Sequence, residues 1–120
     1  MDSDTTIKDL KDKVQKFCED RDWDRYHNAK DLAIGISTEA SEILDLFRFK
    51  TEEQVDVMFQ DAKAKGEISD EIADTLYFIL RLAQKYNIDL SSALDDKIEK
   101  NGKKYPISKA KGSNKKYTEL

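Results

Sequence analysis

Apolar positions recur at three- and four-residue steps along most of the chain, the period of helices buried on one side. Ile7, Leu10, Val14 and Phe17 form one such stripe, and Thr5 or Thr6 can cap a first helix running to about Arg21. The segment Asp22-Trp23-Asp24-Arg25-Tyr26-His27-Asn28 breaks the period and reads as a connection. A second helix is expected from about Lys30 to Phe49, with Leu32, Ile36, Ile43 and Leu46 on one face. Thr51-Glu52-Glu53 can start a short third helix through Val55, Met58 and Phe59, ending near Gly66. A fourth is expected over about Glu67 to Tyr86, with Ile68, Thr75, Phe78, Ile79 and Leu82 inward. Asn87-Ile88-Asp89 reads as a turn, and Ser91 or Ser92 as the cap of a fifth helix reaching about Lys100. Beyond Asn101-Gly102 and Pro106 the period is lost. Short connections between long helices predict an all-α, antiparallel bundle of four to five helices. Residues 1–105 form its body and 106–120 an irregular basic tail.

Composition supports that picture. With 120 residues, one Pro and four Gly, and equal hydrophobic and charged shares of 38%, the chain suits one helical domain better than a turn-rich β sandwich. The run Leu76-Tyr77-Phe78-Ile79-Leu80 is far shorter than the ~20 residues of a membrane span. Met1-Asp2-Ser3-Asp4 has neither the basic nor the apolar part of a secretory leader. The lone Cys18 excludes an intrachain disulfide and a multi-cysteine zinc site. The expectation is a soluble cytoplasmic protein.

The net charge of −4 hides an asymmetry. Residues 1–96 carry 23 acidic against 13 basic side chains, a net of −10, and residues 97–120 carry 8 Lys against Glu99 and Glu119, a net of +6. An acidic body repels phosphate backbones, which argues against nucleic acid as a partner. The lysine-rich end is either a solvated terminus or a reach toward a phosphorylated ligand.

The chemistry lies in acids that interrupt the apolar stripes. At about 100° per residue, Leu32, Ile36, Ile43 and Leu46 fall within about 60° of Glu39, and Glu42 falls about 60° to the other side. With Glu71 as origin, Ile68, Thr75, Phe78 and Leu82 lie within about 60°, and Asp74 at about 60°. Two helices therefore aim an acid pair at i, i+3 toward the interior. Uncompensated inward carboxylates are costly and repel one another, so either they lean out to solvent or cations neutralise them. An oxygen-only donor set suits Mg²⁺, with Mn²⁺ as a substitute. Such ions can hold a polyphosphate and activate water for attack on phosphorus. A di-iron carboxylate bundle would add Glu-x-x-His motifs, but the single histidine, His27, lies outside both pairs. A non-catalytic helical interaction module is the alternative of another class, and it gives no reason for inward acid pairs.

Glu39-Ala40-Ser41-Glu42, 28 intervening residues, and Glu71-Ile72-Ala73-Asp74 resemble the ExxE…ExxD signature of MazG-like, all-α nucleoside triphosphate pyrophosphohydrolases. Arg21-Asp22-Trp23, His27, the stretch 39–50, Lys97…Asn101…Tyr105-Pro106 and Lys116-Tyr117-Thr118-Glu119-Leu120 are similar to the dCTP pyrophosphatase branch. The resemblance covers about residues 7–120. It implies hydrolysis of a (deoxy)nucleoside triphosphate to monophosphate and pyrophosphate, with Mg²⁺ held by Glu39, Glu42, Glu71 and Asp74. Glu39 or Glu42 would position and deprotonate the water. Lys50, Lys97, Asn101, Lys104 and Tyr105 are implied donors to the triphosphate, and Trp23 and Phe49 stacking partners for the base. Phe49 stands where that branch has Trp, Phe78 where it has Tyr near the phosphates, Val14 where the vertebrate enzymes have His, and Asp31 where Asn is expected. His27 could donate to a ligand or cap the second helix. The resemblance also implies a homo-oligomer, dimer or tetramer. It places dCTP or a modified dCTP first among substrates, dATP second, and noncanonical nucleotides in a house-cleaning role third.

Overall fold

Capping side chains begin five of the six helices. In a computed structural model describing all 120 residues, α1 spans Ile7–Asp20, α2 Ala29–Phe47, α3 Glu52–Met58, α4 Ala62–Lys85, α5 Leu90–Lys104 and α6 Ile107–Ala110. Thr6 and Thr51 close capping boxes with Asp9 and Gln54, and Asn28, Asp61 and Asp89 each accept from the backbone N–H three residues on. Each satisfies donors that the first helical turn leaves without a partner. The chain has no strand, as the periodicity predicts, and no helix long and apolar enough to cross a membrane.

Several boundaries differ from the expected ones: the second helix ends at Phe47 rather than Phe49, and the third at Met58 rather than near Gly66. The helix expected to start at Glu67 starts at Ala62, because Asp61 supplies the cap and Gly66 is accommodated inside the helix. The fifth helix is capped by Asp89 rather than a serine, and it runs through Asn101-Gly102 to Lys104. The segment 22–28 contains a 3₁₀ turn at Asp24–Tyr26. The stretch after Pro106, expected to be irregular, folds as the single turn α6 and a 3₁₀ turn at Tyr117–Glu119.

The chain divides into two compact units, Met1–Asn87 and Ile88–Leu120. In the first, α4 packs most extensively on α2 and also on α1. Its fully buried apolar side chains are Cys18, Leu32, Ile68, Leu80 and Ala83. Gly35 lets α2 approach α4: a Cβ built there would stand 2.6 Å from the Phe78 ring. Ile34, Leu44, Val57, Phe59, Ile72 and Leu76 of the same unit remain exposed. The second unit holds α5, α6 and an edge-to-face pair, Tyr105 and Tyr117, with ring centroids 5.9 Å apart.

Candidate metal centre

The α2–α4 pairing carries the acids of both stripes to one place. Glu39, Glu42 and Glu71 each offer a carboxylate oxygen, and these three oxygens lie within 4.8 Å of one another. Glu39 and Glu71 are half-buried and Glu42 is exposed. One oxygen of Glu39 and one of Glu71, both Oε2, are buried without a hydrogen-bond partner. Ionised carboxylates are acceptors only, so three of them together cannot satisfy one another unless a proton or a cation is shared.

The electrostatics agree. The Glu71 carboxyl is pushed up to about 7, first because it shares a hydrogen bond with Glu42, then by burial, then by the charges of Glu42, Asp74 and Glu39. Glu39 is also raised, first by burial, then by the charges of Glu42 and Asp74 and a hydrogen bond with Glu42. Asp74 is exposed and stands outside the tight group of three, yet close enough for its charge to raise both neighbours. Unpartnered oxygens in a crowded, mutually repelling group fit a hard divalent cation, which would take the place of any proton they share.

The remaining candidates fall in several places. Trp23, Phe17, Tyr77 and Phe78 form a chain of edge-to-face contacts, with successive centroids 5.7, 6.0 and 5.0 Å apart. Its last ring, Phe78, sits one helical turn beyond Asp74. Val14, Phe17, Tyr77 and Lys13 line an open hollow of about 250 Å³. Phe49 is 91% exposed, adopts φ +64° and stacks beneath the Arg48 guanidinium at 4.4 Å. A bulky side chain in the left-handed region is uncommon. Lys50 follows it, also exposed. Lys97, Asn101 and Lys104 are exposed on α5 and Tyr105 caps that helix, all within the second unit. The Lys104 ammonium lies 5.0 Å from the centre of the Tyr117 ring.

His27 does not cap α2, because Asn28 does. Its Nδ1 accepts a hydrogen bond from Arg81 Nε at 3.0 Å. Sequence reasoning passed over Arg81, whose residue is completely buried. The signal available was a single charge inside the apolar run Leu80-Arg81-Leu82-Ala83.

The profile of the MazG-like family matches residues 34–120, a stretch that contains all four acids. The chain belongs to the MazG-like family. A crystal structure of a pyrophosphatase from Archaeoglobus fulgidus superposes with a TM-score of 0.77 at 35% identity, covering 83% of this chain and 92% of that one. Similar curated proteins include dCTP pyrophosphatase 1 of Bos taurus, 28% identical over 98% of this chain and 70% of its own length. The Homo sapiens dCTP pyrophosphatase 1 is 29% identical over 96% of this chain and 68% of its own length. These likenesses bear out the expectation of a nucleoside triphosphate pyrophosphohydrolase with an all-helical MazG-like fold.

Proposed function

We propose that this MazG-like chain hydrolyses a deoxynucleoside triphosphate between the α and β phosphates in a Mg²⁺-dependent reaction, with dCTP or a modified dCTP as the first substrate, in the cytoplasmic nucleotide pool. The observation that carries this reading is the group of three glutamate oxygens within 4.8 Å, two of the carboxylates holding an unpartnered buried oxygen. Glu39, Glu42 and Glu71 would hold the cation, with Asp74 at its edge. Bound there, Mg²⁺ supplies Lewis-acid stabilisation of the charge that develops on the phosphate oxygens.

The protein's own groups do the rest. Glu39 or Glu42 orients a water toward phosphorus and takes its proton, and for Glu39 burial and the neighbouring charges of Glu42 and Asp74 raise the basicity that step needs. Lys50, Lys97, Asn101, Lys104 and Tyr105 donate to the triphosphate, a role resting on donor capacity, exposure and the family resemblance. Trp23 and Phe49 offer faces for the base, each worth about 1–3 kcal/mol and nearly indifferent to base identity. Phe78, the last ring of the row that begins at Trp23, would border the phosphates. The exposed Ile34, Leu44, Ile72 and Leu76 support a homo-oligomer, dimer or tetramer, in which a second copy covers them.

Canonical and modified nucleoside triphosphates, each incubated with and without Mg²⁺ and followed by ³¹P NMR, test the reading. Monophosphate and pyrophosphate are the expected products. Orthophosphate would contradict the reaction, and a tenfold preference for a purine triphosphate, about 1.4 kcal/mol, would reverse the substrate order while leaving the chemistry intact.

A further inference from the structure

Arg81 lies nearly three turns along α4 from Glu71 and takes no part in the metal centre. Its guanidinium donates from Nη2 to Asp24 Oδ1 at 2.7 Å, from Nη1 to Gln84 Oε1 at 2.6 Å and from Nε to His27 Nδ1 at 3.0 Å. Asp24 is held in turn by Lys85, whose Nζ donates to the Asp24 carbonyl at 2.6 Å. The bond to Asp24 compensates the buried charge, and the bond to Gln84 satisfies a second nitrogen. The third bond adds no charge compensation, and its consequence falls on the imidazole.

A guanidinium is protonated throughout the working pH range and has no acceptor. The nitrogen that accepts from it must therefore carry a lone pair, so the single proton of a neutral ring resides on Nε2. We propose that Arg81 is a positioning residue that locks His27 as the neutral Nε2–H tautomer, making it, beside Trp23, a hydrogen-bond donor to a neutral acceptor on the nucleobase edge rather than a cation for phosphate. The substrate part of this inference rests on the nucleotide reading above; the tautomer does not.

Two further observations point the same way. Burial, then the charges of Arg81 and Lys85, hold the imidazole below its ordinary pKa, with Asp24 opposing them more weakly. A protonated ring would also set an Nδ1–H against the Nε–H of Arg81. The Trp23 and His27 rings are neighbours at 6.4 Å and 63°, and Trp23 is 39% exposed, so a base lying on the indole has its edge beside the imidazole. Carbonyl oxygens and ring nitrogens are the base groups such a donor can reach. Stacking cannot choose among bases, whereas a fixed donor can.

His27 is the only histidine, so a long-range ¹H–¹⁵N correlation spectrum reports it without assignment. The whole chain, without substrate at pH 7, is expected to show a protonated Nε2 and an unprotonated Nδ1. Arg81→Lys should give mixed tautomers and a ring that protonates at higher pH. A wild-type ring carrying its proton on Nδ1, or charged at pH 7, overturns the proposal. In kinetics, His27→Phe should raise KM for the preferred triphosphate about tenfold with kcat little changed. His27→Gln, whose amide can both accept from Arg81 and donate outward, should restore most of it. Inhibition by inorganic tripolyphosphate should be the same in His27→Phe as in wild type. A parallel loss of tripolyphosphate inhibition would assign His27 to phosphate and refute the recognition role, as would an unchanged KM. Should Arg81→Lys fail to fold, the wild-type spectrum and the His27 pair decide the matter. A correct tautomer in a chain that turns over no triphosphate refutes the functional reading and leaves the Arg81 lock standing.

Discussion

Replacing Gly35 by Ala tests what brings the two acid-bearing helices together. An added Cβ would lie 2.6, 2.7 and 2.9 Å from Cε1, Cδ1 and Cγ of Phe78. Ordinary carbon contacts begin near 3.5 Å, so the ring must withdraw by most of an ångström or the helices must part. Overpacking of this kind costs about 1–3 kcal/mol. Against it, Ala is favoured over Gly inside a helix by roughly 0.5–1 kcal/mol. The net expectation is destabilisation by about 1 kcal/mol, a fall of roughly 3–6 °C in Tm. Gly66 supplies the control, because nothing lies within 4 Å of a Cβ there and Gly66→Ala should show the propensity gain alone. Phe78→Leu placed on Gly35→Ala should return part of the loss, a coupling of about 0.5–3 kcal/mol in a double-mutant cycle. Because Gly35 lies one turn before Glu39 and Phe78 one turn after Asp74, the same clash should weaken Mg²⁺ binding severalfold by calorimetry. If Gly35→Ala is as stable as Gly66→Ala and binds Mg²⁺ like wild type, close approach at this point does not set the cluster.

Further tests follow from the same geometry. Glu39→Gln, Glu42→Gln, Glu71→Gln and Asp74→Asn should each lower turnover by about a hundredfold, the upper end of what losing even an outer-shell metal partner costs, while circular dichroism shows the helices retained. Full turnover in all four would place the site elsewhere. Without divalent ions, Glu71 binds its proton more tightly folded than unfolded, since its carboxyl is raised from 4.5 to about 7. Its contribution to stability is therefore complete below about pH 4.5 and is lost as pH rises through about 7, so Tm should fall across that window. Glu71→Gln should flatten the fall, and saturating Mg²⁺ should raise Tm at pH 7.5 by mass action. Light scattering at micromolar concentration should give two or four times the 13.9 kDa of one chain, and a monomeric mass would refute the oligomer.

The sequence by itself determined the helical class and named the acids from which the glutamate cluster is drawn. Thr6 and Thr51 announce the helix starts beside them, and the apolar stripes of α2 and α4 repeat every turn, so both signals are local, whereas Asn28, read with the connection, caps α2 in place of His27. The inward bearing of Glu39 and Glu71 could be read from the same period. Asp61 and Asp89 are equally local caps, but Gly66 disguised the first by suggesting a break that a tolerant helix interior absorbs, and Ser91 and Ser92 drew the second downstream. What crosses between helices was decided only by tertiary structure. Equal angular offsets put Glu42 in the tight cluster and leave Asp74 outside it, because helix packing, rather than angle alone, fixes which oxygens meet. The burial of Arg81 and its bond to His27 join residues 54 apart, and no periodicity within one helix encodes a partner at that separation.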